Sequence, residues 1–400
     1  MSCFKSLTHT VGRPNPPTTD TGEEIPLSVG VYGIGMKRAI FKIGRKAIIW
    51  TQNNDDGYKI QITPDWIASE DSWDLEVKPA DKRMEADGTH ILIEELNDNI
   101  KERFNSEIFE TSLISKIANH YSVILQKGFK VIVNDKLVVP KPVQFRFADE
   151  KSEDGTEIRP YMFRSKYDGV QIYLVVGLRE PIPGVEAILS DHEESSRFRS
   201  EYAGWTVICN DRVVLYCNRD ELTGWGTAGV PRYHNQFISI SGVLEFQGPP
   251  EKLPTTTTKR GLEFSSSIYQ QTLDRMREGT RIFTNFTNKW KTREDVAKQL
   301  VSPIPTVGYS NVKEKSNSLD YSQSRRGLIG DIYKPKLPFP PKDETDIRIS
   351  YSRDKNSVMK LADKLLENVA ELRLSEISKQ VGEKSFEFSY SSLVIESKDK

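Results

Sequence analysis

Gly30, Gly33 and Gly35 stand three and then two residues apart and lead directly into Met36-Lys37-Arg38-Ala39-Ile40-Phe41-Lys42-Ile43-Gly44. Glycines so spaced let the backbone come close to a ligand and adopt φ > 0. The amide groups at the start of the helix that follows then offer donors to phosphate oxygens, with Lys37 one turn in as an added charge. The chemistry on offer is a lid over a phosphate group. Gly-rich turns before ordinary helices are the competing reading. The stretch is not a Walker A loop, because no Gly-Lys-Ser/Thr follows at the right spacing. It also fails as a dinucleotide fingerprint, since Arg38 stands where the last glycine would fall and no clear strand precedes it.

Two other stretches carry polar chemistry. Asp87-Gly88-Thr89-His90-Ile91-Leu92-Ile93 is a Gly-Thr opening a strand, with His90 read as a strand residue rather than a base. Leu253-Pro254-Thr255-Thr256-Thr257-Thr258-Lys259-Arg260-Gly261-Leu262-Glu263 lies between a long apolar run and a helical stretch, and taken alone it is a polar loop with an N-cap.

The elements that must position these residues follow from periodicity. Ala39, Ile40 and Ile43 give the helix after the glycines an apolar side, and Gly44 is its natural stop. Phe104, Ile108, Ile117, Tyr121 and Ile124 predict one amphipathic helix over 104–126. Asn134-Asp135 and Asn210-Asp211 predict hairpin turns, and Tyr167-Asp168-Gly169 a turn before a strand at Val170–Gly177. A long strand is expected over Phe237–Phe246 and helix over 265–300. Ser, Pro and charge make 302–345 read as a linker, followed by a helix near Lys355–Leu374 and an aromatic strand at Phe386–Tyr390. Trp205, Trp225 and Trp290 read as core aromatics.

Taken together, Gly30-x-x-Gly33-x-Gly35-Met36-Lys37 and, roughly fifty residues on, Gly88-Thr89 resemble the second and third boxes of the GHKL ATPases, the gyrase, heat-shock chaperone, histidine kinase and MutL types. The overall likeness is to bacterial ATP-binding proteins of the microrchidia and MutL branch. The resemblance implies ATP with Mg²⁺ as cofactor and a nucleotide site formed by Gly30, Gly33, Ile34, Gly35, Met36, Lys37 and Thr89. It further implies a following transducer domain that sends Lys259 to the γ-phosphate, with Arg260 as the alternative sensor. The expected fold is α+β: an incomplete Bergerat-type α/β sandwich over 1–142, a ribosomal-S5-like transducer over 143–301, the linker, and a small C-terminal helical element over 346–400.

The departure from the family is at the start. The family's helix with a Glu that orients water and an Asn that holds magnesium, and its Asp-x-Gly-x-Gly box for adenine, are not found upstream of Gly30, where Asp20-Thr21-Gly22-Glu23 is the nearest match. The expectation is a chain that begins inside a longer ancestral domain. The functional expectation is an ATP-driven switch whose hydrolysis is coupled to domain closure or homodimerisation. The alternative is a nucleotide- or partner-binding module unable to hydrolyse ATP. DNA or a protein partner is open on either reading.

Bulk properties narrow little further. A net charge of -1 over 400 residues gives no general nucleic-acid surface. Three cysteines (Cys3, Cys209, Cys217) and five scattered histidines suggest no zinc site. Cys209 and Cys217 flank a hairpin and are expected as a reduced pair able to face one another. No signal peptide or long apolar run is seen, so no membrane contact and a cytoplasmic location are expected.

Overall fold

The computed structural model of the chain describes residues 35–53, 56–69, 74–81, 86–183, 201–256, 261–341, 352–366, 369 and 372–392. Two compact units divide it, Met1–Pro340 and Pro341–Lys400. Numbered in chain order among the described residues, the first elements are α1 (Gly35–Ile43), β1 (Gly44–Asn53), β2 (Asp56–Ile62), α2 (Pro64–Ala68), β3 (Val77–Pro79) and β4 (Gly88–Leu96). The strands form an antiparallel sheet in the order β3-β2-β1-β4. Ala47 and Ile49 on β1 and Ile60 and Ile62 on β2 alternate onto one face and bury against Ile40 and the half-buried Met36 of α1. The helix therefore packs through positions 36 and 40, one turn apart. Ala39, expected on the apolar side, is exposed.

Residues 104–126 are not one helix. They belong to α3 (Asp98–Phe104), α4 (Glu107–His120) and α5 (Ser122–Gln126), broken at Asn105-Ser106 and at Tyr121. The break leaves Ile108 81% exposed, off the face that was to bury it. The Asn134-Asp135 hairpin forms between β5 (Ile132–Val133) and β6 (Lys136–Leu137), with φ of 46° and 64° at the two turn residues, as a tight primed turn requires.

The centre of the larger unit is a seven-stranded sheet. Its strands are β8 (Tyr161–Tyr167), β9 (Val170–Leu178), β10 (Gly204–Cys209), β11 (Arg212–Asn218), β12 (Ile240–Gln247), β14 (Ser322–Gln323) and β15 (Asp331–Tyr333). The order is β11-β10-β12-β9-β8-β15-β14, antiparallel except for the β10/β12 pair. Both faces are covered, so these strands read as near-continuous apolar runs. Tyr161, Phe163, Leu174, Val176, Trp205, Val207 and Leu244 pack against Tyr269, Met276, Phe283 and Phe286 of the long helix α6 (Ser267–Trp290). The helix lies close to the sheet at Gly279, where a Cβ would collide with Val176 and Tyr161. On the other face, Met162, Tyr173, Val175, Ile208 and Val243 pack against Phe145, Phe147, Tyr309 and Val312. Trp205, Trp225 and Trp290 are buried as expected.

The segment expected as a linker is woven into this unit. After α7 (Glu294–Val301), β13 (Thr306–Gly308) pairs with β7 (Gln144–Arg146), α8 (Tyr309–Lys315) packs on the sheet, and β15 hydrogen-bonds to β8. Cys209 pairs across the hairpin with Arg212, while Cys217 sits beside Thr206, so the two free, buried thiols do not face one another.

In the smaller unit, α9 (Lys355–Leu365) and α10 (Leu374–Tyr390) pack through Ala362, Leu366, Ile377 and Val381. The expected aromatic strand at Phe386–Tyr390 is the last turn of α10, with Phe386 stacked on Tyr390 four residues along. The expected helix to Leu374 ends at Leu365.

Candidate functional site

Gly35 is the first residue of α1, and a Cβ built on it meets nothing within 4 Å. Among the described residues, nothing covers the start of the helix. No acidic residue occupies its first turn, so the positive end of the helix dipole is not neutralised locally. Met36 leans into the apolar cluster, and Lys37 lies in the same first turn. Gly30, Gly33 and Ile34 lie outside the described residues.

At Gly44 the chain reverses directly from α1 into β1. The amino end of the helix and the Thr51 end of β1 therefore point the same way. A Cβ at Gly44 would meet the Glu94 carbonyl oxygen at 2.6 Å, so the tight reversal needs glycine. β1 then pairs with β4 in a register that sets Thr51 opposite Thr89 and Gln52 opposite Gly88. The two threonine hydroxyls are 3.0 Å apart, and Thr51 Oγ1 also donates to the Gly88 carbonyl at 3.3 Å. Buried Gln52 donates from Nε2 to the Ala86 carbonyl at 2.9 Å and so fixes the approach to the Gly-Thr pair. His90 packs edge-on against Trp50, with ring centroids 5.3 Å apart, as a strand residue.

The threonine-rich loop is pinned at its base. Thr255 bridges to Leu262, Thr256 N–H donates to the Gly261 carbonyl at 3.1 Å, and Glu263 N–H to the Pro254 carbonyl at 2.9 Å. Leu253 and Leu262 anchor the two sides in the core under α6. Lys259 and Arg260 lie outside the described residues.

Two features escaped the sequence reading. The first is a buried carboxylate, Glu245 on β12, which accepts from Tyr309 Oη at 2.7 Å and Lys313 Nζ at 2.5 Å on one oxygen and from Gln247 Nε2 at 3.1 Å on the other. Burial and the neighbouring Glu245 hold the Tyr309 phenol well above its ordinary pKa, so it stays a neutral donor. Beside this cluster lies a pocket of ≈ 570 Å³ bordered by Arg164, Lys166 and Lys313; Arg164 is already paired with Asp331 at 3.0 Å and Lys313 with Glu245. The only sequence signal was a lone charge inside the apolar run Ile240–Gln247. The second feature is Gly224-Trp225-Gly226-Thr227-Ala228-Gly229, whose glycine spacing is visible in the sequence but which is followed by Val230-Pro231 rather than by a helix. Gly224, Gly226, Ala228 and Gly229 all have positive φ.

Among the described residues, no three His, Cys, Asp or Glu side chains are grouped to hold a metal ion, and no helix is long and apolar enough to cross a membrane. No family model matches the chain, and no curated protein does. Among solved structures, the chain is similar to the B-subunit of the DNA gyrase from Myxococcus xanthus, at 11% identity and a TM-score of 0.28 over 59% of this chain and 67% of that one. It is also similar to the 43K ATPase domain of Thermus thermophilus gyrase B in complex with an aminocoumarin, at 10% identity and a TM-score of 0.29 over 71% of this chain and 79% of that one. Both likenesses are too loose to define the fold by themselves.

Proposed function

We propose that this chain is an ATP-binding module of GHKL type, in which the segment Gly30–Lys37 closes over the phosphates and Thr89 lines the same pocket. The observation that carries the reading is the in-register Thr51–Thr89 pair. It sets the Gly-Thr box on the strand next to the one that α1 feeds, and both open toward the amino end of that helix. The residues fit the nucleotide on one further count: no described residue fills the space at Gly35 where an anion would meet the helix amides. Gly30, Gly33, Ile34, Gly35 and Met36 would hold phosphate oxygens through main-chain N–H groups, Lys37 through its ammonium, and Thr89 through its hydroxyl. ATP supplies the cleavable phosphoanhydride and brings Mg²⁺ with it.

Lys259 is the γ-phosphate sensor in this reading. A lysine that bonds only the third phosphate gives the second domain a charge-assisted contact present with ATP and lost with ADP. Hydrolysis would then release closure, or a homodimer formed with ATP bound. The alternative is a module that binds nucleotide without turning it over. Equilibrium binding of ATP to the purified chain, followed by phosphate release under single-turnover conditions, tests both. Binding with no release above background selects the alternative, and no binding at all rejects the proposal.

A further inference from the structure

We infer that β4 is the docking edge for a second copy of the chain, which pairs with it antiparallel about a two-fold axis at Ile91 and joins the two four-stranded sheets into one. β4 bounds its sheet over nine residues, Gly88–Leu96, and no described strand pairs with its outer side. An edge strand presents a row of unpaired N–H and C=O groups. Proteins ordinarily blunt such rows with shortness, proline, lysine, bulges or a covering element.

The other outer strands of the two larger sheets carry these devices. β3 has three residues and ends in Pro79, and β14 has two. β11 shifts register against β10 and is covered by α4, whose His120 ring reaches the Val213 carbonyl at 3.3 Å. β4 has none of them between Gly88 and Glu94. It holds no proline, lysine or arginine there, and its β-branched Thr89, Ile91 and Ile93 favour extended pairing. Thr89, His90, Ile91 and Leu92 are exposed in succession, Ile91 and Leu92 each at 38%.

The main chain sets the register. Thr51 Oγ1 donates to the Gly88 carbonyl at 3.3 Å, which puts that carbonyl on the β1 side of the strand. Main-chain groups alternate along a strand, so Gly88, His90 and Leu92 face β1, and Thr89, Ile91 and Ile93 turn their N–H and C=O groups outward. Glu95, with φ of 52°, ends the extended run. Outward groups must meet outward groups, and pairing with a second copy about Ile91 satisfies this along the whole run. Thr89 of each copy then meets Ile93 of the other, and Ile91 meets Ile91. The charges agree with this occupant. Glu94 falls opposite Gly88 of the other copy rather than a second carboxylate, and it is already paired with Lys46 at 2.7 Å. His90 falls opposite Leu92, so apolar surface exposed in the single chain is covered on both copies. The pairing is isologous and closes at two. It needs no nucleotide, and so is separate from a homodimer formed with ATP bound.

Sedimentation of the nucleotide-free chain over a micromolar dilution series provides the test. Ile91→Lys places a charge at the two-fold axis, and Ile132→Lys, at a residue 64% exposed on the β5/β6 hairpin, is the comparison. The expected result is a dimer whose dissociation constant rises at least tenfold in Ile91→Lys and is unchanged in Ile132→Lys. Amide hydrogen exchange of the unaltered chain reads the same contact without a substitution: the Thr89, Ile91 and Ile93 amides should be protected where the dimer is populated and lose protection on dilution. A monomer throughout, an assembly larger than two, or a dimer untouched by Ile91→Lys or lost in Ile132→Lys overturns the inference. So do Thr89, Ile91 and Ile93 amides that exchange alike at every dilution. The lid reading is judged separately, by ATP affinity.

Discussion

Thr51 and Thr89 meet across neighbouring antiparallel strands with their hydroxyls 3.0 Å apart, 38 residues apart in the chain. Neither hydroxyl is needed to hold the sheet, because the β1/β4 ladder runs on past them to Leu96. A pair of half-satisfied hydroxyls at the mouth of a sheet is available to a ligand.

Thr89→Val is accordingly expected to leave folding intact and to weaken ATP binding about tenfold, the loss of one hydrogen bond of roughly 1.4 kcal/mol. Calorimetric titration beside a thermal melt reads both. A lower melting point with unchanged affinity in the surviving fold would place the pair in the scaffold alone.

Lys259→Ala is expected to weaken ATP binding while leaving ADP binding unchanged, since the proposed contact would be made only with the third phosphate. Separate affinities for the two nucleotides measure this. Equal loss of both points to a folding defect, and no loss of either transfers the role to Arg260.

Tyr309 is fully buried on Glu245 and ties α8 to β12. Tyr309→Phe leaves the carboxylate one donor short in the interior and should cost about 1–3 kcal/mol in urea unfolding. Glu245→Gln keeps an acceptor for the phenol and leaves the Lys313 ammonium, 41% exposed, free to turn to water, so it should cost less. Unchanged midpoints would mean that water replaces the phenol.

Cys217 supplies a pH dependence. Burial raises its thiol from 9.0 to about 11. A raised folded pKa keeps its contribution whole below pH 9.0 and loses it as pH climbs toward 11, by about 2–3 kcal/mol at most. Cys217→Ala should therefore decline less steeply than wild type between pH 9 and 11. The native thiol should also resist alkylation at pH 8, because the thiolate is the reactive form.

Where local chemistry decides the outcome, the sequence was a good guide. Asn134-Asp135 and Asn210-Asp211 make their turns because asparagine and aspartate tolerate positive φ, and all four have it. The helix after Gly35 is where periodicity puts it, and the strand carrying Thr89 opens on its Gly-Thr pair as expected. Residues 302–341 were misread because Tyr309, Val312, Ile332 and Tyr333 are sparse among polar neighbours, and their burial comes from a sheet assembled from β8, β9 and β12 far away in the chain. Phe386, Phe388 and Tyr390 alternate like a strand yet complete α10, a helix whose start is capped by Glu376 accepting from the Arg373 N–H at 2.9 Å. Glu245 was illegible for the same reason as the false linker. Its partners Tyr309 and Lys313 are 64 and 68 residues away.

The central claim is nucleotide capture at the start of α1, and ATP affinity of Gly35→Val tests it most directly. An added side chain there meets no atom of the described residues within 4 Å, so the described fold should tolerate it. It would fill the space where phosphate oxygens must reach the helix amides. The account predicts wild-type thermal unfolding with ATP binding reduced at least tenfold. Wild-type affinity in the folded variant would contradict it.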